Sequence, residues 1–379
     1  MKAALFPFWN AGMFMAFPMV FSTYLSILKI PIPAVLSVSI IVSLTITIQL
    51  ISNISVSAPK IRFVVLLYMA YLFLAVYSYK QTSDFQAPEE KIIYIFYVIS
   101  LPISLTVFSF FLTNKRLTIT QKDVDRTLYR VFNLATIFFS VSYLFFREFE
   151  SEGRYIVPGV DNPIWVSRQL SVGLLVFFVY NVYYRKSIDV FRIIIISFLF
   201  LLAVDAGARG PIVAFLVSVL FFFFWQKKIN YRKCLYIFMP LTLLLAALYN
   251  YSDSYVFTTT RYSIGYREAA WDYILNIPVT LWGHGLGMYG WHYYGIDSEA
   301  YPHNLFAELY FEFGVVGLIF SVIFLIIVLR SHRTPLTGCL VIYYFINAMF
   351  SGNVIASYPL FIAVVLAVEV RKRAIDRLV

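Results

Sequence analysis

Charged residues are scarce in this chain. Asp, Glu, Lys and Arg make up 13% of its 379 residues, whereas 61% are hydrophobic. A typical soluble domain is about one quarter charged and about half apolar. This shortage excludes a water-soluble fold. The long apolar runs that follow one another along the chain approach the ~20 residues that cross a bilayer, so they indicate membrane spans.

Cysteine is also scarce, with Cys234 and Cys339 as the only two. Both stand at the starts of predicted helices far from the longest polar segment, so we assign them no role. A zinc site would therefore depend on His284, His292 and His303, whose irregular spacing is unlike that of zinc ligands. We predict neither a metal nor another cofactor.

A small-residue cleavage site is not evident after the apolar run that follows Lys2 and continues past Phe21, so we predict that this run is an uncleaved first span. We predict an all-α polytopic membrane protein, one integral membrane domain over residues 1–379, with about 12 transmembrane helices. The predicted spans are Ala4–Leu28, Pro31–Ile54, Phe63–Tyr79, Ile92–Leu112, Val131–Phe146, Val166–Tyr184, Ile193–Ala206, Pro211–Trp225, Cys234–Tyr249, Asn304–Leu329, Cys339–Phe350 and Ile355–Val370. A large loop, residues 250–303, separates the ninth span from the tenth.

The positive charges predict an orientation for these spans. Most of the 30 lysines and arginines fall on the side of the N-terminus, which places both termini in the cytoplasm and the loop 250–303 outside. The cations on the outer side are Lys29, Lys80, Lys91, Arg147, Arg154, Arg168, Arg209, Arg261 and Arg267. Because a guanidinium fits phosphate oxygens in pairs, this arginine-rich outer side indicates an anionic ligand.

A short polar break, Asp205–Pro211, joins two apolar runs that are too short to carry the turn clear of the membrane. Charged groups at such a depth are costly unless they pair or face water. We interpret Arg209 as a contact for an anionic substrate. The alternative is a structural ion pair with Asp205 at a tight hairpin.

The outer loop contains a predicted helix that ends at Pro278. One face of this helix is predicted to carry Ile264, Arg267, Trp271, Ile274 and Leu275. Arg267 therefore either reaches the membrane surface or points into a site that Trp271 also contacts. The glycine cluster after this helix, residues 283–287, could turn amides toward a phosphate, but a plain loop is the favoured interpretation.

A polar stripe marks the predicted helix after the loop. Asn304, Glu308 and Glu312 follow one another at intervals of four, so they share a face that must contact protein or water. Pro302 suits a first helical turn, which would set His303 at the electropositive helix end and favour its neutral, proton-accepting form. We expect His303 to be catalytic and Asn304 and Glu308 to contact substrate.

Two further patterns have structural interpretations beside functional ones. The loop aromatics, Trp271, Trp282, Trp291, His292, Tyr293, Tyr294 and Tyr301, form either an interfacial belt or a surface that stacks on sugars. The paired acids Asp123 and Asp125 look like a nucleotide-sugar metal motif, but they fall among basic residues of a short linker. We predict a solvated turn there.

Several of these blocks together resemble the O-antigen ligase and polymerase superfamily. They are Asp161–Trp165, Ala208–Gly210, Arg267–Trp271, Gly283–Gly287, and His303-Asn304 followed by Glu312–Leu318. The resemblance covers roughly residues 154–318. It implies a metal-independent glycosyltransferase of the bacterial inner membrane, with a periplasmic active site and an undecaprenyl-pyrophosphate-linked glycan as donor.

The resemblance also implies roles for individual residues. Arg209 and Arg267 would bind the pyrophosphate and His303 would be the general base, with Arg154, Arg168 and Arg261 as weaker candidates. The aromatic, low-charge character favours a polymerase of lipid-linked repeat units over a ligase that delivers the glycan to lipid A core. We expect membrane lipids and a chain-length regulator protein as partners, and no nucleic acid.

A protein of another class also fits twelve spans with both ends inside. Transporters that flip lipid-linked sugars have this topology. Their two halves often show repeat symmetry, which this sequence does not, and its largest loop is external and lies late in the chain.

Overall fold

The structure is a computed structural model that is mostly helical. It describes residues 5–30, 37–39, 41–42, 46, 101–112, 120–149, 154–160, 162–185, 189–225, 255–278, 280–285, 288–295, 301–330, 334–351 and 357–375. The helices with stated bounds are α1 (Phe6–Ala16), α2 (Pro18–Ile27), α3 (Leu101–Leu112), α4 (Gln121–Phe146), α5 (Pro163–Arg185), α6 (Val190–Asp205), α7 (Arg209–Trp225), α8 (Tyr255–Asn276), α9 (Tyr289–Tyr294), α10 (Leu305–Arg330), α11 (Pro335–Ser351) and α12 (Tyr358–Ile375).

Three of the described helices are long and apolar enough to cross a membrane, namely Gln121–Phe146, Pro163–Tyr184 and Leu305–Leu329. Shorter apolar helices accompany them, as expected for a membrane protein. A small antiparallel pair, β1 (Glu148–Phe149) with β2 (Tyr155–Ile156), joins α4 to α5. The predicted helical fold class is confirmed, while the count of twelve spans, their sidedness and the single-domain assignment stay predictions.

Helix α5 forms the centre of the bundle. It packs against α4, α6, α7 and α11. Within the most apolar 18-residue stretch of each helix, 83% is buried in α5 and 33% in α10. A helix that is apolar on all sides is stable where protein covers all of it, whereas an exposed apolar helix needs lipid around it. The two values therefore identify α5 as the core helix and α10 as a helix at the membrane-facing edge.

Hydrogen bonds between distant residues define one end of this bundle. The hydroxyl of Tyr143 donates to the carboxylate of Asp205 over 2.8 Å, and Arg147 pairs with the same carboxylate. Ser167 donates to the carbonyl oxygens of Ala203 and Ala208, at 2.9 and 3.2 Å. The end of α4, the start of α5 and the turn between α6 and α7 therefore meet. Asp205 pairs with Arg147, which was not the partner considered from the sequence.

The opposite end is held by a buried carboxylate. Asp125 is completely buried in the first turns of α4 and accepts a hydrogen bond of 2.6 Å from the hydroxyl of Tyr184 and one of 3.3 Å from Thr334. Asp123 closes a capping box with Thr120 at the start of α4. The predicted solvated turn at Asp123 and Asp125 is wrong, because this pair belongs to a helix that begins ten residues before the predicted span.

Most other predicted spans agree with the helices to within a few residues. The first, Ala4–Leu28, is in fact two helices, since α1 ends at Ala16 and Pro18 opens α2. Proline suits a first helical turn because it lacks an amide hydrogen to donate. The predicted spans Phe63–Tyr79 and Cys234–Tyr249, and most of Pro31–Ile54, lie outside the described residues.

We predict that Asp125→Ala lowers the free energy of unfolding by about 1–3 kcal/mol, because it removes the buried carboxylate that accepts hydrogen bonds from Tyr184 and Thr334. Asp125→Asn keeps an acceptor oxygen and should cost less. Arg126→Ala changes an exposed neighbour and serves as the surface control. Thermal unfolding in detergent measures all three. Equal melting temperatures for Asp125→Ala and Arg126→Ala would contradict the assigned role.

Candidate active site

Asn304 determines where α10 begins. Its side-chain oxygen accepts from the amides of Phe306 and Ala307 at 2.9 and 3.1 Å, which is the bonding of an N-cap residue. The predicted role of Pro302 in the first turn is wrong, since Pro302 and His303 precede the cap. His303 has a left-handed backbone, with φ of 56°. His303 therefore lies just before the N-terminus of α10 and not within the helix.

Helix α8 is attached to this turn. The indole of Trp271 donates to the carbonyl of Pro302 over 3.1 Å. The rings of Tyr301 and His303 lie with their centroids 4.4 Å apart. Arg267 lies near enough to His303 for its positive charge to lower the pKa of the imidazole. Tyr301 lies near enough to Arg267 to interact with it electrostatically. The structure thus brings together the predicted residues Arg267, Trp271 and His303.

His303 is neutral in this environment. Burial and, secondarily, the positive charge of Arg267 lower the pKa of His303 to about 4, compared with an ordinary value of 6.5. The imidazole therefore has a lone pair available near neutral pH. The prediction of a neutral histidine agrees with this pKa, although the cause differs from the helix position considered from the sequence.

Arg168, which belongs to α5, lies near Tyr301. Its side chain is only 5% exposed, and it interacts electrostatically with tyrosines from three other parts of the chain, namely Tyr301, Tyr343, Tyr344 and Tyr358. Tyr343 also donates to the carbonyl of Arg168 over 2.9 Å. Tyr301 therefore interacts with both Arg168 and Arg267 and links α5 to α8.

Tyr301 was counted among the loop aromatics by sequence reasoning but was not named as a site residue. Its position two residues before His303 was the available signal.

Arg209 and Arg154 form a second pair of predicted arginines. Their guanidinium groups are near enough for the two positive charges to repel each other. Ser167, next to Arg168, binds the carbonyl of Ala208, next to Arg209. The backbone at Arg209 is thereby attached to the start of α5. Arg261 lies in α8, but its side chain is outside the described ones.

The predicted polar stripe of α10 faces protein. Glu308 is 6% exposed and Glu312 is 2% exposed, so the expectation that this face avoids lipid is confirmed. Asn304 also donates to the carbonyl of Met349 at the end of α11, over 3.2 Å. The first turns of α10 therefore lie between α11 and the module formed by α8 and α9.

Helix α10 is broken at Gly314, whose φ of 61° and ψ of −140° are not helical. The segment 280–285 fills the break with backbone hydrogen bonds. Val315 and Val316 donate to the carbonyls of Thr280 and Leu281, and His284 and Gly285 donate to those of Phe311 and Glu312. The amides of His284 and Gly285 are thus bound to the helix rather than presented to a phosphate, as expected of a structural loop.

The buried face of α8 differs from the predicted one. Ala270 and Ile274 are buried with Tyr289 and Phe311 in a small second core, whereas Trp271 is 45% exposed and Leu275 is 76% exposed. These two members of the predicted stripe lie outside the buried face, because α9 and α10 pack on a neighbouring face. Several loop aromatics therefore hold this module together instead of forming a free surface.

The loop histidines do not assemble with His303. The rings of His284 and His292 lie 5.2 Å apart and pack on Phe311, while His303 contacts Tyr301. Across the described residues, no group of three His, Cys, Asp or Glu side chains could hold a metal ion.

Comparison with known proteins adds one finding. A family model described as O-Antigen ligase matches residues 193–322. This segment resembles the O-antigen ligases. The superfamily resemblance expected from the sequence is confirmed there, and no curated protein and no solved structure matches the chain.

The segment that resembles the O-antigen ligases contains part of the candidate site. It runs from α6 through Arg209, Arg267, His303 and the break of α10. Arg154 and Arg168 lie before it, so their inclusion depends on the contacts of α5 described above.

We predict that Gly314→Ala releases the segment 280–285 from α10. A Cβ at this position would overlap the carbonyl oxygen of Thr280, and the left-handed backbone adds a strain of about 1–3 kcal/mol. Hydrogen exchange at the amides of His284 and Gly285 should become faster. Gly265→Ala is the matched control, because a Cβ there meets open space on α8. Unchanged exchange in Gly314→Ala would refute the assigned pairing.

We predict that Arg267→Gln raises the pKa of His303 from about 4 toward 6.5, because it removes the positive charge that disfavours the imidazolium. At pH 5, a larger fraction of His303 should then be protonated in the variant than in the parent. NMR titration of labelled histidine measures this, with His303→Ala to assign the signal. A pKa that stays near 4 in Arg267→Gln would mean that burial alone sets it.

Proposed function

We propose that this protein transfers a glycan from undecaprenyl pyrophosphate to an acceptor hydroxyl, as a polymerase of lipid-linked repeat units at the periplasmic face of the bacterial inner membrane. The observation that carries the proposal is the grouping of Arg267, Tyr301 and His303 around the entrance of α10, inside a segment that resembles the O-antigen ligases. An arginine beside a neutral histidine suits an anionic donor and a hydroxyl acceptor.

The chemistry needs one base and one stabilised leaving group. The acceptor oxygen attacks the anomeric carbon, and its proton passes to His303. The bond from that carbon to undecaprenyl pyrophosphate breaks, and the electron pair leaves with the diphosphate. Fixed guanidinium groups in a poorly solvated pocket stabilise the charge that develops there by several kcal/mol. Arg267 and Arg209 are the proposed binding groups, and Arg168 and Arg154 are weaker candidates.

Donor binding should also strengthen the base. A histidine with a pKa of about 4 is a weak proton acceptor at neutral pH. A bound diphosphate places negative charge beside Arg267 and offsets the repulsion that this arginine exerts on imidazolium. The pKa of His303 therefore rises toward neutrality when the donor is present. Proton transfer is coupled in this way to occupancy of the anionic site.

A ligase that delivers the glycan to lipid A core is the second candidate, favoured by the resemblance of residues 193–322 to the O-antigen ligases. The two functions use the same donor and differ in the acceptor. The sequence character that favours a polymerase, aromatic and poor in charge, supports the first candidate. A chain-length regulator protein is a proposed partner of the polymerase.

We predict that purified protein in liposomes extends an undecaprenyl-pyrophosphate-linked repeat unit and that the activity persists with a chelator. His303→Ala should lower the rate by ~10²–10⁴-fold, as expected for loss of a general base. Arg267→Ala should lower it by ~10²–10³-fold, as expected for loss of a charge-stabilising group. Arg126→Ala, which removes an exposed cation near the opposite end of α4, should leave the rate unchanged. Gel separation of the products measures chain growth.

The same assay separates the alternatives. Transfer only after addition of lipid A core selects the ligase. Movement of the lipid between leaflets without a new glycosidic bond selects a transporter and overturns the proposal. Full activity of His303→Ala would exclude this residue as the base.

A further inference from the structure

The segment 280–285 does not behave like an aqueous loop. Leu281 is 57% exposed and Trp282 is 73% exposed, and the adjacent residues of α10, Phe313 and Val316, are 37% and 39% exposed. Backbone bonds from Val315 and Val316 to Thr280 and Leu281 fix the segment against the helix at this level. The four apolar side chains therefore belong to one exposed surface, which we call the loop–helix surface.

This surface continues the lipid-facing side of α10. Beyond Val316 the exposed apolar residues run down the helix as Leu318, Ile319, Phe320, Val322, Ile323, Ile326, Ile327 and Leu329. Helix α10 is a candidate membrane span, so these side chains contact lipid. The loop–helix surface is contiguous with them and has the same chemistry.

The length of the helix places this surface below the membrane boundary. Arg330 follows Leu329 and is expected to mark one edge of the hydrocarbon. The helix between the break at Gly314 and Leu329 rises only about 22 Å at ~1.5 Å per residue, whereas the hydrocarbon is about 30 Å thick. The residues of α10 that precede Gly314 must therefore lie in the part of the hydrocarbon that the later helix does not cross. Leu281 and Trp282 lie beside the break, at the same depth.

The backbone bonding satisfies the condition for such a location. Non-helical backbone is tolerated at membrane depth only when its polar groups have partners within the protein. The break at Gly314 removes helical acceptors from the amides of Val315 and Val316, and Thr280 and Leu281 replace them. In return, Phe311 and Glu312 accept from His284 and Gly285.

We propose that the segment 280–285 is inserted in the outer leaflet, with Leu281 and Trp282 in contact with lipid acyl chains. The segment is then a re-entrant element of the membrane domain rather than part of an aqueous loop. Helix α8, which carries Arg267, lies directly before it in the chain. The candidate site is thereby held at the boundary between lipid and water, where the phosphate groups of lipids lie.

Spin labels test the location without reference to activity. Single cysteines at Trp282→Cys and Leu281→Cys, in a background with Cys234→Ser and Cys339→Ala, are labelled with a nitroxide in lipid nanodiscs. Collision rates with oxygen, which concentrates in lipid, and with a water-soluble nickel chelate report the surroundings of each label. Asp272→Cys is the matched control, because Asp272 is an exposed polar position on α8.

We expect the ratio of oxygen to nickel collisions to be several-fold higher at residues 281 and 282 than at residue 272. Equal ratios at the three positions would place the segment in water and overturn the proposal. Two labelled positions guard against a variant that fails to fold, since either one is sufficient for the comparison. Loss of glycan transfer in other variants has no bearing on this result, so the proposed function and the insertion fail separately.

Discussion

The opened backbone of α10 is the constraint on which the rest of the candidate site depends. A helix cannot be interrupted in an apolar environment unless its amides and carbonyls receive new partners. Here a left-handed glycine makes the break and the segment 280–285 supplies those partners. A side chain at Gly314 or Gly283 would overlap the opposing backbone. Two glycines thereby fix the position of the loop relative to the helix that begins next to His303.

Positive charge is the second constraint, and tyrosines form much of its surroundings. Arg168 is almost fully buried and interacts with four tyrosines, one of which also interacts with Arg267. A neutral phenol lacks the full negative charge of a carboxylate. Asp205, at the same end of the bundle, pairs with Arg147 and Tyr143. The arrangement retains positive potential where an anionic ligand is proposed to bind.

The sequence predicts features that depend on local periodicity. The predicted ends of α10 agree with the structure. Glu308 and Glu312 are buried, as predicted, because a polar stripe on an apolar helix must face protein or water. Interactions between distant residues were not accessible in this way. Asp205 is paired by residues at the end of α4, and Asp125 is bonded by Tyr184 of α5 and by Thr334, which directly precedes α11.

What periodicity could not reveal on α8 and in the polar loop has a related cause. Periodicity identified a helix with one apolar face, but the buried side is decided by α9 and α10, which the pattern of α8 does not contain. Tyr301 was missed because one tyrosine among several carries no local mark of its role. Gly314 lies in an apolar run whose pattern predicts one continuous helix. The helix can be interrupted there because the carbonyls of Thr280 and Leu281 accept from the amides of Val315 and Val316.

The first half of α10 carries the buried polar stripe and also binds the segment 280–285 through its backbone. One face carries Glu308 and Glu312 into the protein, while the carbonyls of Phe311 and Glu312 hold the segment 280–285. A shift of that segment would therefore act on the backbone of Glu312 itself. Because Asn304 caps the same half-helix and is bonded to α11, this half-helix is held at both of its ends.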